Sequence, residues 1–395
     1  MEKAPPSRQP ASWADIPVEL AGLVLGRLPA HVDRVRFAAV CPQWRVAARQ
    51  GNVPPPMPML LLPDATVYSL PGSKPFHFPA CTGYTNACGT GNWLVFSGKD
   101  GCFLKDPFTN ETVTVPALSR TRFQHVGQDD EFSDEAEHEW LGMGEGKLPD
   151  AYKIIFCSPH LIAAIFNYRS ELITRIAVCQ PGASSWWSVL VNDPQFVDIT
   201  FHQGKLYALG RGDTLFAVDI SVDHSTGNPW VSQIQQVIGG LLCSRMKFLP
   251  DVVLILRVSY LVESHCAVLL VRQEIDLRFK AGNRGSIEIP EAERSRFEVY
   301  EANFGQSQWT KVTTLGNDQV LFLCQWFCRS VNISHNEIPG DRIFFVDNDE
   351  RYYSGYGKEA SGSCSVYGMR NGEVSTPLPM VSWKPGKAFA TWLFP

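Results

Sequence analysis

The chain has 395 residues, of which 45% are hydrophobic, and its 35 Lys and Arg against 40 Asp and Glu give a formal charge of -5. This is the composition of a globular protein, and the length suits two or three domains unless an all-β ring takes up most of it. It argues against nucleic-acid binding, because no basic stripe for phosphates is present, and against a membrane span, because charges interrupt the most apolar run, Leu249 to Val271.

Residues 1 to 10 are polar and rich in proline, so we expect them to be disordered. They lack the apolar core that a secretory signal peptide requires. The eleven cysteines are odd in number and scattered, which is typical of reduced, mostly buried thiols. Together these features predict a cytoplasmic or nuclear protein.

Three short helices are predicted between Ala11 and Gln50. The run Asp15-Ile16-Pro17-Val18-Glu19 is typical of a helix start, because aspartate can accept backbone N–H bonds and proline is tolerated in the first turn. Pro29 should end this helix, Asp33 should cap the second, and Pro42 should force a break before the third.

The first helix carries an apolar stripe made by Leu20, Leu23, Val24 and Leu28 at helical spacing. Forty residues in three helices bury little surface alone, so this unit is expected to need a partner. Two alternatives are a plain cap packed on the downstream domain and a helix-turn-helix that contacts DNA. In the second alternative, the residues that contact DNA would be Arg34, Arg36, Arg45 and Arg49.

The same segment, residues 11–50, resembles an F-box. The residues that match in order and spacing are Trp13, Ile16-Pro17, Glu19-Leu20, Leu28, Asp33-Arg34, Val40-Cys41 and Trp44-Arg45. Ile16 stands where leucine is commoner, a swap that conserves volume. The resemblance implies docking on a Skp-type adaptor, itself held by a cullin. We expect the adaptor to bind the face that carries Ile16, Pro17, Leu20, Leu23, Val24 and Leu28, because this apolar stripe is too large for so small a unit to hide.

A linker is predicted over residues 51–58, because the consecutive prolines Pro54 to Pro56 cannot continue a helix. From Met59 to residue 395 the chain is made of short runs of β-branched and aromatic residues, bounded by Gly, Pro, Asn and Asp. This pattern is typical of strands and turns.

The strands recur as a loose repeat of about 40 to 60 residues, the size of a four-stranded propeller blade. The clearest unit runs from Asp198 through a His-Gln-Gly-Lys turn to Trp230. Further units are drawn over residues 91–115, 152–187, 252–273, 297–314 and 342–376. The sequence therefore predicts a mainly β protein, a β-propeller of six or seven blades behind the three helices. A large β-sandwich is the alternative, although a two-sheet core suits so many repeated strands less well.

This half resembles the plant F-box proteins that carry a KIB-type β-propeller. The matching segments are Cys88-Gly89-Thr90-Gly91-Asn92-Trp93-Leu94, Asp106-Pro107-Phe108-Thr109-Asn110, Cys179-Gln180-Pro181-Gly182, Trp186-Trp187, Gly204-Lys205-Leu206-Tyr207, Tyr260-Leu261-Val262-Glu263-Ser264, Leu315-Gly316-Asn317-Asp318, Leu321-Phe322-Leu323 and Pro339-Gly340-Asp341-Arg342-Ile343-Phe344-Phe345. The residues of each segment are typical of turns or strands, so we expect them to form the blades. Contact with a target is the alternative role.

Residues 128–146 depart from a regular blade. Asp129 to Glu139 holds seven acids in eleven positions, which repel one another and cannot enter a core. We expect an exposed loop on the ring. This loop is either a solvated insertion without a binding role or a segment that attracts a basic target peptide.

No catalytic residue is predicted, because the chain has no Gly-x-Ser-x-Gly elbow, no His-Glu-x-x-His pair and no phosphate-binding loop. His202 is expected to be exposed in a turn. Cys324 and Cys328, with His335 beyond, have a loose metal-ligand spacing, but a single pair does not predict a zinc site. We expect no cofactor.

The expected function is substrate recognition in a Skp-cullin-F-box (SCF) ubiquitin ligase, with the helices on the adaptor and the propeller on a protein target whose binding residues are not assigned. A scaffold or sequestering protein that binds adaptor or target without ubiquitin transfer is the second hypothesis. The third is a propeller hydrolase, which would require a polar site at the ring axis.

Overall fold

The computed structural model describes residues 13, 16–50, 53, 55–70, 72, 74–89, 92–97, 101–117, 120–125, 150–167, 174–190, 195–241, 253–278, 291–324, 327–333, 338–348, 362–377, 383 and 388–395. The predicted disordered segment 1–10, the acidic run 129–139 and His335 lie outside these residues.

The three predicted helices are confirmed as α1 (Val18–Gly26), α2 (His31–Val40) and α3 (Pro42–Gln50). Pro17 precedes α1, and its carbonyl oxygen accepts a hydrogen bond from the Ala21 amide at 3.1 Å. Pro42 is the first residue of α3, where a missing N–H costs nothing. None of these helices is long and apolar enough to cross a membrane, within the part of the chain that is described.

Asp33 does not cap α2, contrary to the prediction. The helix begins two residues earlier, at His31, with Ala30 at the N-cap position and no side-chain cap. Asp33 therefore lies in the first turn, where its charge favours the helix dipole and pairs with Arg36 at 3.1 Å.

The predicted propeller is confirmed, and it has six blades. Blade 1 contains β26 (Thr391–Leu393), β1 (Met59–Leu61), β2 (Thr66–Ser69) and β3 (Phe76–His77). Blade 2 contains β4 (Asn86–Ala87), β5 (Leu94–Ser97), β6 (Gly101–Lys105) and β7 (Thr112–Pro116). Blade 3 contains β8 (Thr121–His125), β12 (Trp186–Leu190), β11 (Thr174–Cys179), β10 (Leu161–Asn167) and β9 (Asp150–Ser158).

Blade 4 contains β13 (Phe196–His202), β14 (Lys205–Gly210), β15 (Leu215–Val222) and β16 (Pro229–Ile238). Blade 5 contains β17 (Val253–Ser264), β18 (Ala267–Arg278), β19 (Glu291–Asn303) and β20 (Gln308–Val312). Blade 6 contains β22 (Cys328–Asn332), β21 (Gln319–Leu323), β23 (Arg342–Asn348), β24 (Gly362–Gly368) and β25 (Val374–Ser375). The units drawn from sequence over 252–273 and 297–314 are therefore halves of one blade, because β18 pairs with β19 across the intervening segment.

A hydrophobic core fills every boundary between neighbouring blades. Successive residues of a strand point to opposite faces, so Ile154 packs toward blade 2 while Ile155 packs toward blade 4. Each blade thus buries both of its faces, and the six sheets form one ring.

The ring is closed by the pairing of its two ends. β26 runs antiparallel to β1, with Leu61 opposite Thr391 and Met59 opposite Leu393. Trp392 is fully buried between blades 1 and 6, where its indole Nε1 donates a hydrogen bond to the Leu323 carbonyl at 3.1 Å. Blade 1 is therefore completed only when β26 is in place beside β1.

A buried ion pair ties three blades together near the axis. The ammonium of Lys153 on β9 lies 2.7 Å from a carboxylate oxygen of Asp198 on β13, and both side chains are buried. The other Asp198 oxygen accepts the Leu261 amide of β17 at 2.7 Å. Burial is the largest single effect and would lower the pKa of Lys153, but the Asp198 charge, acting together with Cys328, the Asp198 hydrogen bond and Cys324, raises that pKa overall.

A second buried pair ties blade 4 to blade 5. Asp213 lies in the turn between β14 and β15, with a left-handed φ of 66°. Its carboxylate accepts hydrogen bonds from the Ser259 hydroxyl at 2.6 Å and from Nε of Arg272 at 3.1 Å. Its carbonyl oxygen accepts the indole N–H of Trp309 at 2.7 Å. One turn residue thus contacts three strands of the next blade.

Candidate functional site

The helical unit has a small core of its own. Ala21, Leu25, Phe37 and Ala47 are buried in it, and the ring of Phe37 stacks on Trp44 with centroids 4.4 Å apart. Small side chains make up half of this set. The core therefore accounts for only part of the apolar surface that the three helices carry.

The opposite side of α1 is apolar and exposed. Leu20 is 52% exposed, Leu23 66% and Val24 44%. Positions 20, 23 and 24 are neighbours on a helix surface, whereas Ala21 and Leu25 face the core. The helix thus has two apolar sides, and the fold of this chain covers one of them.

Of the six residues predicted to bind an adaptor, Pro17 is also exposed and Ile16 is half-buried. Leu28 lies beyond the end of α1, is half-buried and packs on the helical core. The structure therefore groups Leu20, Leu23 and Val24 on one helix face, with Pro17 just before the helix, and places Leu28 on the inner side.

The exposed apolar surface is wider than the predicted stripe. Among the described residues, eight of the twelve exposed large hydrophobic side chains lie between positions 13 and 46. Those outside the predicted set are Trp13, Val18, Val35, Val40 and Val46. Their apolar character was the signal available in the sequence, but periodicity alone does not say which apolar side of a short helix is buried.

Three of the four arginines considered for DNA contact make bonds within the helical unit. Arg34 donates from Nε to the Leu28 carbonyl at 2.6 Å, and Arg45 donates from Nε to the Ala38 carbonyl at 3.3 Å. Arg36 pairs with Asp33. The side chains of these three arginines are therefore engaged within the helical unit.

The helical unit is joined to the ring by direct contact. The Met57 amide donates to the Pro29 carbonyl at 2.8 Å, and Met57 forms a parallel β-bridge with Ala30. The rings of His31 and Phe108 meet edge to face at 5.6 Å, and burial, followed by the Arg34 charge, lowers the pKa of His31. Val32 packs against the blade 1 core. The orientation of the helices relative to the ring is thus fixed by direct contacts.

His202 is buried, contrary to the expectation that it is exposed in a turn. The turn itself is Gln203-Gly204, both with left-handed φ values of 48° and 79°, as tight hairpin turns require. His202 is the last residue of β13 and is 4% exposed, with Nδ1 3.2 Å from a Glu263 carboxylate oxygen of blade 5. This partner lies 61 residues away, so no local pattern could have indicated it.

Cys324 and Cys328 lie in the core of the ring. Burial raises the pKa of the Cys328 thiol well above its usual range, and the Cys324 sulfur donates to the Phe327 carbonyl at 3.2 Å. Across the described ranges, no three His, Cys, Asp or Glu side chains come together in a way that could hold a metal ion.

A family model described as KIB1-4 beta-propeller matches residues 60–368. The F-box protein At2g26160 of Arabidopsis thaliana is 24% identical over 364 residues, covering 85% of this chain and 96% of that protein. The putative F-box protein At5g55150 of the same plant is 25% identical over 394 residues, covering 94% and 95%. Among solved structures, the extracellular domain of the putative one-component system BT4673 from B. thetaiotaomicron is 9% identical with a TM-score of 0.24, and the match spans 81% of this chain and 58% of that one. A likeness this low carries no argument.

Proposed function

This chain belongs to the KIB1-4 β-propeller family, and from that membership we propose that it is the substrate-recognition subunit of a Skp-cullin-F-box ubiquitin ligase. Residues 11–50 act as the F-box, residues 51–58 connect, and residues 59–395 form the ring that binds the protein target. The chain works in the cytoplasm or the nucleus and needs no catalytic residue or cofactor.

The observation that carries this proposal is the exposed apolar side of α1, formed by Leu20, Leu23 and Val24 in a chain related to F-box proteins over most of its length. A contiguous apolar patch on a soluble protein is typical of a protein interface. Leu20 and Leu23 are only partly exposed, so burying the rest of each contributes about 1 to 2 kcal/mol, which adds to the polar contacts around them in holding an adaptor.

The joint between helices and ring supports a role in positioning. Pro29 and Ala30 bond to Met57, which is buried in the core of blade 1, and His31 and Val32 contact the ring itself. An adaptor on α1 would therefore be held in one orientation relative to a target on the ring. Fixing two reactants near each other accelerates their reaction without any chemistry from the support. A ligase subunit that presents a target lysine to a separate conjugating enzyme needs this property.

The test is binding of the purified chain to a Skp-type adaptor. The double variant Leu20→Lys, Leu23→Lys removes the apolar patch, and both side chains are exposed, so the fold should be unaffected. We expect adaptor affinity to fall at least about tenfold. Val222→Lys on the ring is the matched control, because Val222 is 54% exposed and lies far along the chain from the helices.

Adaptor binding by the double variant that equals the wild type would refute the assignment of this face. Binding that is lost in both the double variant and the Val222→Lys control would point to a general effect of added charge. Adaptor binding without adaptor-dependent ubiquitination of any bound target would favour the scaffold hypothesis.

A further inference from the structure

A polar cluster lies at the end of the ring axis where β13 and β17 end. These strands run in the same direction, since Asp198 contacts Leu261 and His202, four residues later, contacts Glu263. The neighbouring β22 of blade 6 joins them, because the Ser264 hydroxyl lies 3.0 Å from that of Ser330. The axial cluster consists of His202, Glu263, Ser264, Arg329, Ser330 and Phe394, from blades 1, 4, 5 and 6.

Arg329 is unusual within the axial cluster. Its guanidinium lies over the ring of Phe394, with the central carbon 4.7 Å from the ring centroid. In the part of the chain that the structure describes, it makes no hydrogen bond and no ion pair. All five of its N–H donors are therefore available to a ligand.

Neighbouring groups of the protein influence the Arg329 guanidinium. The residue is exposed to solvent, yet surrounding protein lowers the pKa of its guanidinium, against the opposing effect of Glu263. A cation that is partly desolvated, placed over an aromatic ring and left with its donors free suits a planar or tetrahedral anion, because the guanidinium fork matches two oxygens at once.

Glu263 sets a limit on that anion. Its carboxylate already accepts from His202 and remains half exposed, so it adds a negative charge close to Arg329. Two closely spaced anions on a ligand would meet this charge, whereas a single anionic group can reach Arg329 and leave Glu263 to solvent and His202.

We propose that Arg329, stacked on Phe394, is an anchor for one anionic side chain of a target segment, either a carboxylate or a phosphorylated hydroxyl. This deepens the proposed function, because it rests on the ring as the target-binding part and gives the bound segment a chemistry. The shared feature is an oxygen anion that accepts two parallel N–H bonds, and the two sources differ in charge and shape.

The test uses the full chain and three fluorescent peptide libraries with random flanking positions around a fixed phosphoserine, glutamate or serine. We expect binding of the phosphoserine library, the glutamate library or both above the serine library. Arg329→Gln should lower that binding at least about tenfold, because a charged hydrogen bond is lost. Arg329→Lys keeps the charge but loses the fork, so a partial loss is expected.

Two further variants separate this role from a structural one. Glu263→Gln should strengthen anion binding, because it removes a like charge and keeps an acceptor for His202; disruption of the axial cluster would instead weaken binding. Arg120→Gln changes an exposed arginine between β7 and β8 and should leave binding unchanged.

Equal binding of all three libraries by the wild type, or equal binding by the wild type and Arg329→Gln, would overturn the inference. So would weaker binding by Glu263→Gln. Adaptor binding is measured on the same preparations. A chain that binds the adaptor but does not discriminate between the libraries refutes this inference alone, whereas a chain that discriminates but binds no adaptor refutes the proposed function alone.

Discussion

Replacing Asp213 by Asn should destabilise the ring strongly although only one charge is removed. Arg272 is as buried as its partner, so the variant leaves a cation in the interior with a neutral acceptor. Breaking a buried pair in this way costs about 3 to 5 kcal/mol. Asparagine also tolerates the left-handed φ of 66° at this turn, so the backbone contributes little to the loss.

The expected shift in melting temperature follows from the size of the ring. Unfolding entropy is about 2.1 cal/mol/K per residue near 60 °C, so roughly 330 residues give about 0.7 kcal/mol/K. A loss of about 3 to 5 kcal/mol then lowers Tm by about 4 to 7 °C. Glu298, 3.6 Å from Arg272, and the Tyr300 ring offer partial compensation, which favours the lower end.

Thermal unfolding of the full chain measures this, with Asp276→Asn as the matched control. Asp276 pairs with Arg296 in the same blade, but the arginine is 55% exposed. A surface pair contributes about 0 to 1 kcal/mol, so the control should shift Tm by no more than about 1.5 °C. The double variant Asp213→Asn, Arg272→Met should recover part of the stability, because the uncompensated charge is gone. Equal shifts in Asp213→Asn and Asp276→Asn would refute the reasoning.

Three further outcomes are expected. Trp392→Ala should lower the free energy of unfolding by about 3 to 5 kcal/mol and should speed amide hydrogen exchange in β1 more than in β14. An equal increase in both strands would contradict a local opening where the ring closes. Gly240→Ala should lower Tm, because an added Cβ would lie 2.4 Å from the Gly212 carbonyl oxygen. Gly239→Ala is the control, because an added Cβ there would meet nothing within 4 Å and Tm should not change. Equal Tm values for the two variants would show that the backbone around Gly240 relaxes to relieve the contact. Phe108→Ala should speed hydrogen exchange at the start of α2 without changing adaptor affinity, and unchanged exchange would mean that the backbone bridge alone holds the joint.

The sequence predicted the number of helices and the class of fold, because both depend on local signals. Pro17, Pro29 and Pro42 delimit the helices through covalent geometry. Alternating apolar residues between glycine turns indicate strands wherever they occur. The family resemblance in both halves agrees with the match to the KIB1-4 model and with the distant Arabidopsis F-box relatives.

The blade count was beyond local signals. Blade 1 joins strands from both ends of the chain, and β26 is three residues long, too short for any periodicity. In blade 6, β21 lies between β22 and β23 and pairs parallel with β23, so strand order does not follow chain order. A repeat of variable length with such exceptions fits six or seven units equally well.

The candidate site was predicted in part for a similar reason. Helical spacing identified Leu20, Leu23 and Val24, which share one exposed face, and it also included Leu28, which packs inward once the helix has ended at Gly26. The joint at Met57 and the burial of His202 depend on partners distant in sequence. Such contacts form only in the folded protein, and the local sequence around each residue does not indicate them.

The closure of the ring has a consequence for synthesis of the protein. Leu61 finds its partner Thr391 only after 330 further residues have been made, which takes about 20 to 70 s at ordinary rates of translation. During that interval the inner edge of β1 has no strand beside it, while blades 2 to 5 can already assemble in order. A nascent chain of this kind presents an unpaired, apolar strand edge for most of its time on the ribosome, and such an edge invites pairing with another nascent chain. We expect its yield in cells to depend on chaperones that act before release, and any change at Thr391, Trp392 or Leu393 to reduce yield more than it reduces the stability of molecules that have already closed.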